Sequence, residues 1–264
     1  MLKKLMKYDL KWGLKVILIY LSLSLVCAIL GRLTNFLPNT IIFNIIGGIL
    51  KGASISLSVT GLVNGIIKSW VRVIQNMYKD ESYLTHTLPI KTETIYLSKI
   101  LSSVITIVIS TVVVFLSIII SYITKDNAKA LIDSLKLITS SMGVNTTLVI
   151  ILLCLLLLVE VVFVLFCGFY GVIYGYSFNN KKGAKTFLFG LISYGVASNI
   201  SLVVMLFSSI FSKELYDMIF NAKAEINYNT FIYMIVGCIV LYLIYIYLLY
   251  YLSNNKLKKG VNID

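Results

Sequence analysis

The sequence predicts an all-α integral membrane protein with six transmembrane helices. Hydrophobic residues make up 59% of the 264 residues and charged residues only 13%, whereas ordinary soluble domains carry about 25% charged residues. The apolar residues form six long blocks, each near or above the ~20 residues with which a helix crosses a hydrocarbon core. Because no repeat and no Pro-, Gly- or Ser-rich linker interrupts the chain, residues 1–264 are predicted to form a single transmembrane domain.

Residues 1–12 predict a basic amphipathic helix that lies in the interface plane before the chain enters the membrane. Side chains such as Leu5 and Met6 can face lipid, while Lys3 and Lys4 face headgroups. No small-residue cleavage site follows the first apolar block, so the first helix is predicted to be retained. The predicted spans cover about residues 14–30, 41–67, 100–123, 148–176, 187–211 and 231–252.

The distribution of basic residues predicts the orientation. Of the 23 basic residues, fifteen lie at the two termini and in the connections after the second and fourth spans, and six lie in the other three connections. The positive-inside rule therefore places both termini in the cytoplasm. Abundant Lys, Ile, Asn and Tyr indicate an AT-rich bacterial source, and hence a bacterial cell (plasma) membrane. Basic cytoplasmic loops beside anionic lipid headgroups account for the net charge of +12. No nucleic-acid partner is therefore predicted.

Neither cysteine nor histidine chemistry is indicated. All four cysteines fall within the predicted spans, where they behave as small apolar residues. The single histidine, His86, has no cysteine or acidic cluster at ligand spacing, so no metal site is predicted. Protease motifs such as His-Glu-x-x-His are absent from the sequence.

The longest predicted cytoplasmic connection, residues 68–99, carries the most informative pattern. Trp70, Val73 and Met77 continue the helical spacing of the second span beyond the membrane. A short amphipathic helix is predicted next, within the segment 78–92, and its apolar face carries Tyr83, Leu84, Thr87 and Leu88. Pro89 ends this turn, and Thr92 offers a cap for the following helix. The pattern suits docking to a partner and resting on lipid equally well.

This arrangement resembles the permease subunits of type-2 family ABC exporters (ABC-2 type). The resemblance covers the topology of the whole chain and the motif within Asp80–Lys99, which reads acidic-Ser-Tyr-Leu-Thr-His-Thr-Leu-Pro-Ile. In that family this segment is the coupling helix, which sits in a cleft of the ATP-hydrolysing subunit. The resemblance implies that the ATPase-docking residues are Asp80, Glu81, Tyr83, Leu84, Thr87, Leu88 and Pro89. Ser82 stands where many relatives have glycine, and Lys91 can substitute for a basic residue that follows the proline.

The resemblance also implies a division of labour. The sequence has no Gly-x-x-x-x-Gly-Lys-Ser/Thr loop, so the chain is expected not to be an enzyme, and the partner ATPase would bind ATP and Mg. A second permease copy or paralogue would complete a dimer around the pathway. A hydrophobic or amphipathic substrate is expected, with an antimicrobial peptide or drug favoured. The alternatives are a non-transporting membrane immunity or scaffolding protein, and an ion-coupled secondary carrier using Glu160.

Polar residues within the spans are the other candidate sites. Glu160 lies deep in the fourth block, where an ionised carboxylate costs several kcal/mol unless it is paired, hydrated or protonated. It faces a pathway, pairs structurally, or makes a neutral hydrogen bond. Lys51 is a possible partner, although it can also snorkel to the interface. The fifth span is the most polar, and Ser198 and Asn199 predict that it faces protein or a cavity.

Small residues mark the second span. Two motifs of glycines spaced four residues apart occur there, Gly48 with Gly52 and Gly61 with Gly65. Such spacing favours close helix packing, and it is also compatible with a helix that lines the pathway or contacts another subunit.

Overall fold

Our computed structural model describes residues 2–38, 40–79, 81–87, 89–141, 145–221 and 228–260, and in this part the chain forms helices joined by short turns, with no strand. The α-helices are α1 (Leu2–Leu33), α2 (Ile41–Met77), α3 (Ser82–Thr87), α4 (Thr92–Tyr122), α5 (Lys125–Ser141), α6 (Thr146–Gly175), α7 (Lys182–Phe211), α8 (Lys213–Tyr216) and α9 (Tyr228–Lys258). Six of them, α1, α2, α4, α6, α7 and α9, contain stretches long and apolar enough to cross a membrane. The prediction of an all-helical chain with six such helices is confirmed.

The helices form two compact units, one comprising residues 1–129 with 260–264 and the other residues 130–259. The boundary lies within α5, a helix that the sequence analysis did not identify. Because no Pro-, Gly- or Ser-rich stretch marks this boundary, the sequence analysis predicted one transmembrane domain.

The first helix differs from the prediction of a separate interfacial helix over residues 1–12. In the structure α1 continues without a break from Leu2 to Leu33. The reason is Asp9, whose carboxylate points into the unit and binds side chains of α2 and α4. This contact holds the first turns of α1 against its neighbours and keeps them in line with the following apolar stretch.

Small side chains bring α1, α2 and α4 together in the first unit. Ser24 of α1, Ser54 of α2 and Ser117 of α4 are all fully buried. The Ser24 hydroxyl donates to the Ser54 carbonyl oxygen at 3.0 Å and lies 2.7 Å from the Ser117 hydroxyl. Apolar burial gives little net attraction between helices in lipid, whereas close backbone approach and interhelical hydrogen bonds do stabilise the contact. This bundle is therefore held by many small contacts.

The two glycine pairs of α2 have different surroundings. A Cβ atom added to Gly61 would lie 3.2 Å from Leu21 Cδ2, and one added to Gly65 would lie 3.5 Å from Ile17 Cδ1. Both contacts are with α1. Around Gly48 and Gly52 the described residues leave open space within 4 Å. The orientation of α2 about its own axis thus points Gly61 and Gly65 toward α1 and points Gly48 and Gly52 away from it.

Arg32 joins α1 to the last turn of α4. Its Nη1 atom donates to the carbonyl oxygens of Ile120 at 3.1 Å and Ile123 at 3.0 Å. Carbonyls in the last turn of a helix have no partner within the helix, so a cation there satisfies them and complements the helix dipole.

We expect Arg32→Ala to lower the free energy of unfolding by about 1.5–3 kcal/mol, the usual contribution of a hydrogen bond to a charged group. Thermal unfolding in detergent micelles measures this difference. Lys129→Ala, which removes an exposed cation, serves as the control and should change stability by less than about 0.5 kcal/mol. Equal stability of the two variants would show that the carbonyl contacts contribute nothing.

In the second unit α7 and α9 both pack along α6 and touch each other little. The α6 side that they cover carries large buried side chains, including Phe163, Leu165, Phe169 and Ile173. Near its end α6 presents glycines to α7, and an added Cβ at Gly175 would lie 2.4 Å from the Thr186 backbone nitrogen. This close approach sets the geometry of the α6–α7 hairpin.

Candidate functional site

The connection between α2 and α4 contains the short helix α3. The side chains of Tyr83 and Leu84 are 63% and 74% exposed, whereas Ser82, at the start of the helix, is fully buried. Thr87 and Pro89 are also exposed. Asp80 and Leu88, which were predicted to belong to the same site, lie outside the described residues. The helix therefore presents an aromatic and an aliphatic side chain on a segment that is anchored at its beginning.

The anchor is a group of charged and polar side chains, here called the ion-pair cluster, which consists of Asp9, Arg72, Asn76, Glu81, Ser98 and Lys99. At its centre the Asp9 Oδ1 atom accepts from Lys99 Nζ at 2.6 Å and from Arg72 Nε at 3.1 Å. The Asp9 Oδ2 atom accepts from the Ser98 hydroxyl at 2.9 Å. One carboxylate thus connects α1 to both α2 and α4.

Arg72 extends the cluster to the beginning of α3. Its Nη1 atom donates to Glu81 Oε2 at 2.9 Å while its Nε atom binds Asp9. The Asn76 side chain donates to the same Glu81 oxygen and accepts from Lys99. The Trp12 ring covers the guanidinium, with its centroid 5.0 Å from Arg72 Cζ. Arg72 therefore bridges two carboxylates and stacks on α1 as well.

Burial divides the cluster into an inner and an outer ion pair. The side chains of Asp9 and Lys99 are 3% and 4% exposed, so their charges have left water almost completely. Glu81 is 46% exposed, and its pair with Arg72 is partly screened. The two acidic and two basic side chains give the cluster no net charge. Each inner charge stabilises the other, because a buried charge without a partner destabilises the folded state.

Sequence analysis identified Glu81 but missed Asp9, Arg72, Asn76 and Lys99. Two signals in the sequence mark Asp9 and Arg72, whereas none marks Asn76 or Lys99. Asp9 is the only acidic residue in residues 1–79, and Arg72 is one of two arginines in a chain that otherwise uses lysine. An acidic residue that stands alone among lysines, and an arginine in a chain that otherwise uses lysine, both indicate a side chain with a specific partner.

The predicted intramembrane polar residues lie in different environments. Lys51 Nζ donates to Asn35 Oδ1 at 2.8 Å, a contact within the first unit. Glu160 is partly buried in α6. The Asn199 side chain donates to the Gly195 carbonyl of its own helix at 2.7 Å. Asn199, which predicted that the fifth span faces protein or a cavity, thus has a hydrogen-bond partner within its own helix.

Ser198 lines a cavity of about 530 Å³ between α7 and α9, a volume typical of small-molecule sites. Apolar side chains surround it together with the hydroxyl-bearing residues Tyr194, Ser198, Ser201, Ser208, Tyr233 and Tyr242. Phe163 of α6 forms part of its wall, with its ring centroid 5.9 Å from that of Tyr194 and 5.2 Å from that of Tyr242. The cavity suits a hydrophobic or amphipathic molecule.

No group of three or more His, Cys, Asp or Glu side chains that could hold a metal ion occurs among the described residues. Comparison of the chain with models of protein families, with curated proteins and with solved structures finds no match.

Proposed function

We propose that this chain is the membrane permease subunit of a type-2 family ABC exporter in a bacterial plasma membrane, with both termini in the cytoplasm. In this proposal α3 is the coupling helix, which docks on a separate cytoplasmic ATPase subunit. The observation that carries the proposal is the exposure of Tyr83 and Leu84 on a helix that Glu81 ties to the ion-pair cluster.

The exposed side chains suit protein docking. Tyrosine is enriched at the energetically important positions of protein interfaces, where a large and rigid side chain fills a pocket. A helix of six residues is too short to be stable alone, so α3 depends on the hydrogen bonds that Glu81 makes with Arg72 and Asn76 directly before it. A helix held in this way can transmit a displacement to the elements that hold it.

The proposed mechanism follows these contacts. ATP and Mg bind to the partner subunit, and its movement on hydrolysis displaces α3. Arg72 and Asn76 pass the displacement to α2, and Asp9 passes it to α1 and α4. The substrate is a hydrophobic or amphipathic molecule, with an antimicrobial peptide or drug favoured, and the cavity beside Ser198 offers a suitable environment. A second permease copy or paralogue completes the pathway.

Docking is tested by charging the exposed face of α3. We expect Tyr83→Asp combined with Leu84→Asp to reduce co-purification of a phosphate-loop ATPase with the tagged chain by at least about 30-fold, which corresponds to about 2 kcal/mol at an interface hot spot. ATP hydrolysis by the purified membrane complex gives a second measure. Tyr8→Asp is the matched control, because Tyr8 is 69% exposed on α1 and should retain the ATPase.

The same experiments separate the alternatives. A chain that is inserted in the membrane but binds no ATPase would support an immunity or scaffolding protein instead. Transport that continues with a hydrolysis-dead ATPase and is lost in Glu160→Gln would support an ion-coupled carrier. Wild-type ATPase binding by the Tyr83 and Leu84 double variant would contradict the assignment of α3 as the coupling helix.

A further inference from the structure

Lysines crowd one end of the second unit, where α6 ends, α7 begins and α9 ends. The six lysines at this end are Lys181, Lys182, Lys185, Lys256, Lys258 and Lys259. In the sequence, residues 161–213 and 226–263 contain neither Asp nor Glu, and Asp264 is the one acidic residue that follows. The sequence at this end therefore carries a strong local positive charge.

Aromatic rings hold three of these lysines in place. Lys185 Nζ lies 4.0 Å from the centroid of the Phe178 ring, Lys256 Nζ 5.9 Å from that of Tyr174, and Lys182 Nζ 5.8 Å from that of Tyr176. These distances are those of cation–π contacts. Lys256 belongs to α9 and the others to the α6–α7 hairpin, so lysines of separate elements rest on rings near the end of α6.

The rings themselves are fixed by further packing. Phe189 of α7 stacks on Phe178 with ring centroids 5.7 Å apart and lies 6.0 Å from Tyr174. The hairpin turns at Lys181, which has a left-handed backbone with φ of 52°. The ammonium groups are therefore positioned before a ligand arrives, which reduces the entropy lost on binding.

An apolar cavity of about 210 Å³ adjoins this basic end. It is lined by side chains of α7 and α9, including Ile192, Val196, Leu248 and Leu252, and by Tyr170 of α6. Leu252 precedes Lys256 by about one helical turn, and Tyr170 stacks near Tyr174 with ring centroids 4.3 Å apart. A ligand at this end meets cations first and an apolar space next to them.

We propose that these lysines and this cavity form a binding site for one anionic phospholipid of the phosphatidylglycerol class. Lys182, Lys185 and Lys256 bind its phosphate, and an acyl chain enters the cavity beside Leu252. Basic pockets between membrane helices commonly bind such headgroups, and the helices here are long and apolar enough to cross a membrane. The apolar cavity favours a lipid over a nucleic acid or a free anion. This proposal does not depend on the ATPase-coupled function.

The experiment measures binding of a fluorescent phosphatidylglycerol to the purified full chain in neutral detergent. We expect K182Q/K185Q/K256Q to weaken binding by about 100-fold, since each lysine near an anionic headgroup contributes about fivefold. K3Q/K4Q/K7Q, which removes three exposed lysines of α1, is the matched control and should retain the affinity to within about twofold, because those lysines lie outside this site.

A second variant keeps the charge and tests the cavity. We expect Leu252→Trp, which fills the cavity, to weaken binding of the full phospholipid while leaving binding of glycerophosphoglycerol, which has the headgroup without acyl chains, unchanged. Circular dichroism and gel filtration verify that each variant is folded.

Four outcomes would overturn the proposal. They are equal binding of phosphatidylcholine and phosphatidylglycerol, an equal loss in the α1 control, an unchanged affinity in Leu252→Trp, and complete competition by inorganic phosphate or RNA at matched ionic strength. Competition by phosphate or RNA would assign the lysines to an anion site of another kind.

Discussion

Replacing Asp9 with alanine is expected to lower the free energy of unfolding by about 3–5 kcal/mol, the cost of leaving a buried cation without its partner. Lys99 is 4% exposed and pairs with Asp9 at 2.6 Å, so its ammonium group cannot recover full hydration while the helices stay packed. Arg72 loses one of its two carboxylate partners in the same variant. Unfolding in detergent micelles by heat or by denaturing detergent measures the loss.

A double replacement distinguishes the effect of the lost ion pair from the effect of the lost side-chain volume at position 9. Asp9→Ala with Lys99→Met removes both inner charges, and we expect it to recover a large part of the stability, because an apolar pair avoids the desolvation cost. Asp133→Ala is the control, since Asp133 is 54% exposed and lies 3.9 Å from Lys136. It should change stability by less than about 0.5 kcal/mol. A loss in Asp9→Ala no larger than in this control would contradict the inner ion pair.

Adding one methyl group to Gly175 is expected to cost about 3 kcal/mol, at the upper end of the usual range for overpacking. The new Cβ would lie 2.4 Å from the Thr186 backbone nitrogen and 2.5 Å from the Thr186 Cα. Backbone atoms cannot rotate out of the way as a side-chain end can, so α7 must move away from α6. Gly171→Ala should have a similar effect, since its Cβ would lie 2.5 Å from the Thr186 carbonyl oxygen.

The control for these variants lies on α7. Gly195→Ala places its Cβ where, beyond the backbone of its own helix, the described residues leave open space within 4 Å. Because alanine favours a helix over glycine by about 1 kcal/mol, this variant should be neutral or slightly stabilising. The same unfolding measurement compares all three variants. Equal behaviour of Gly175→Ala and Gly195→Ala would show that α6 and α7 do not approach as closely as described.

The six long helices could be predicted because they depend on local properties. Length and apolar composition decide whether a segment can cross a membrane, and both are read directly from the sequence. The start of α4 shows the limit of such reading. Thr92 was expected to cap this helix, but it is already within it, and Lys91 occupies the cap position without a side-chain bond. An end can be located to within a residue while its capping contact is assigned wrongly.

The ion-pair cluster could not be assembled from the sequence in the same way. Asp9 is separated from Arg72 by 63 positions and from Lys99 by 90, so their meeting depends on how three helices rotate against one another. The same rotation decides which glycine pair of α2 faces α1. Spacing identifies which residues share a helix face, but it does not say which neighbour that face meets.

The buried hydroxyl groups of the first unit have a mechanical consequence. Ser24, Ser54 and Ser117 project so little from their helices that no large side chain separates α1, α2 and α4 at their level. Surfaces without deep interdigitation can slide past one another over short distances, and small sliding of packed helices is the basis of shear motions. Small axial slip at the level of these serines would therefore meet little resistance, whereas a shift of α7 against α6 would be opposed where Gly175 meets the Thr186 backbone.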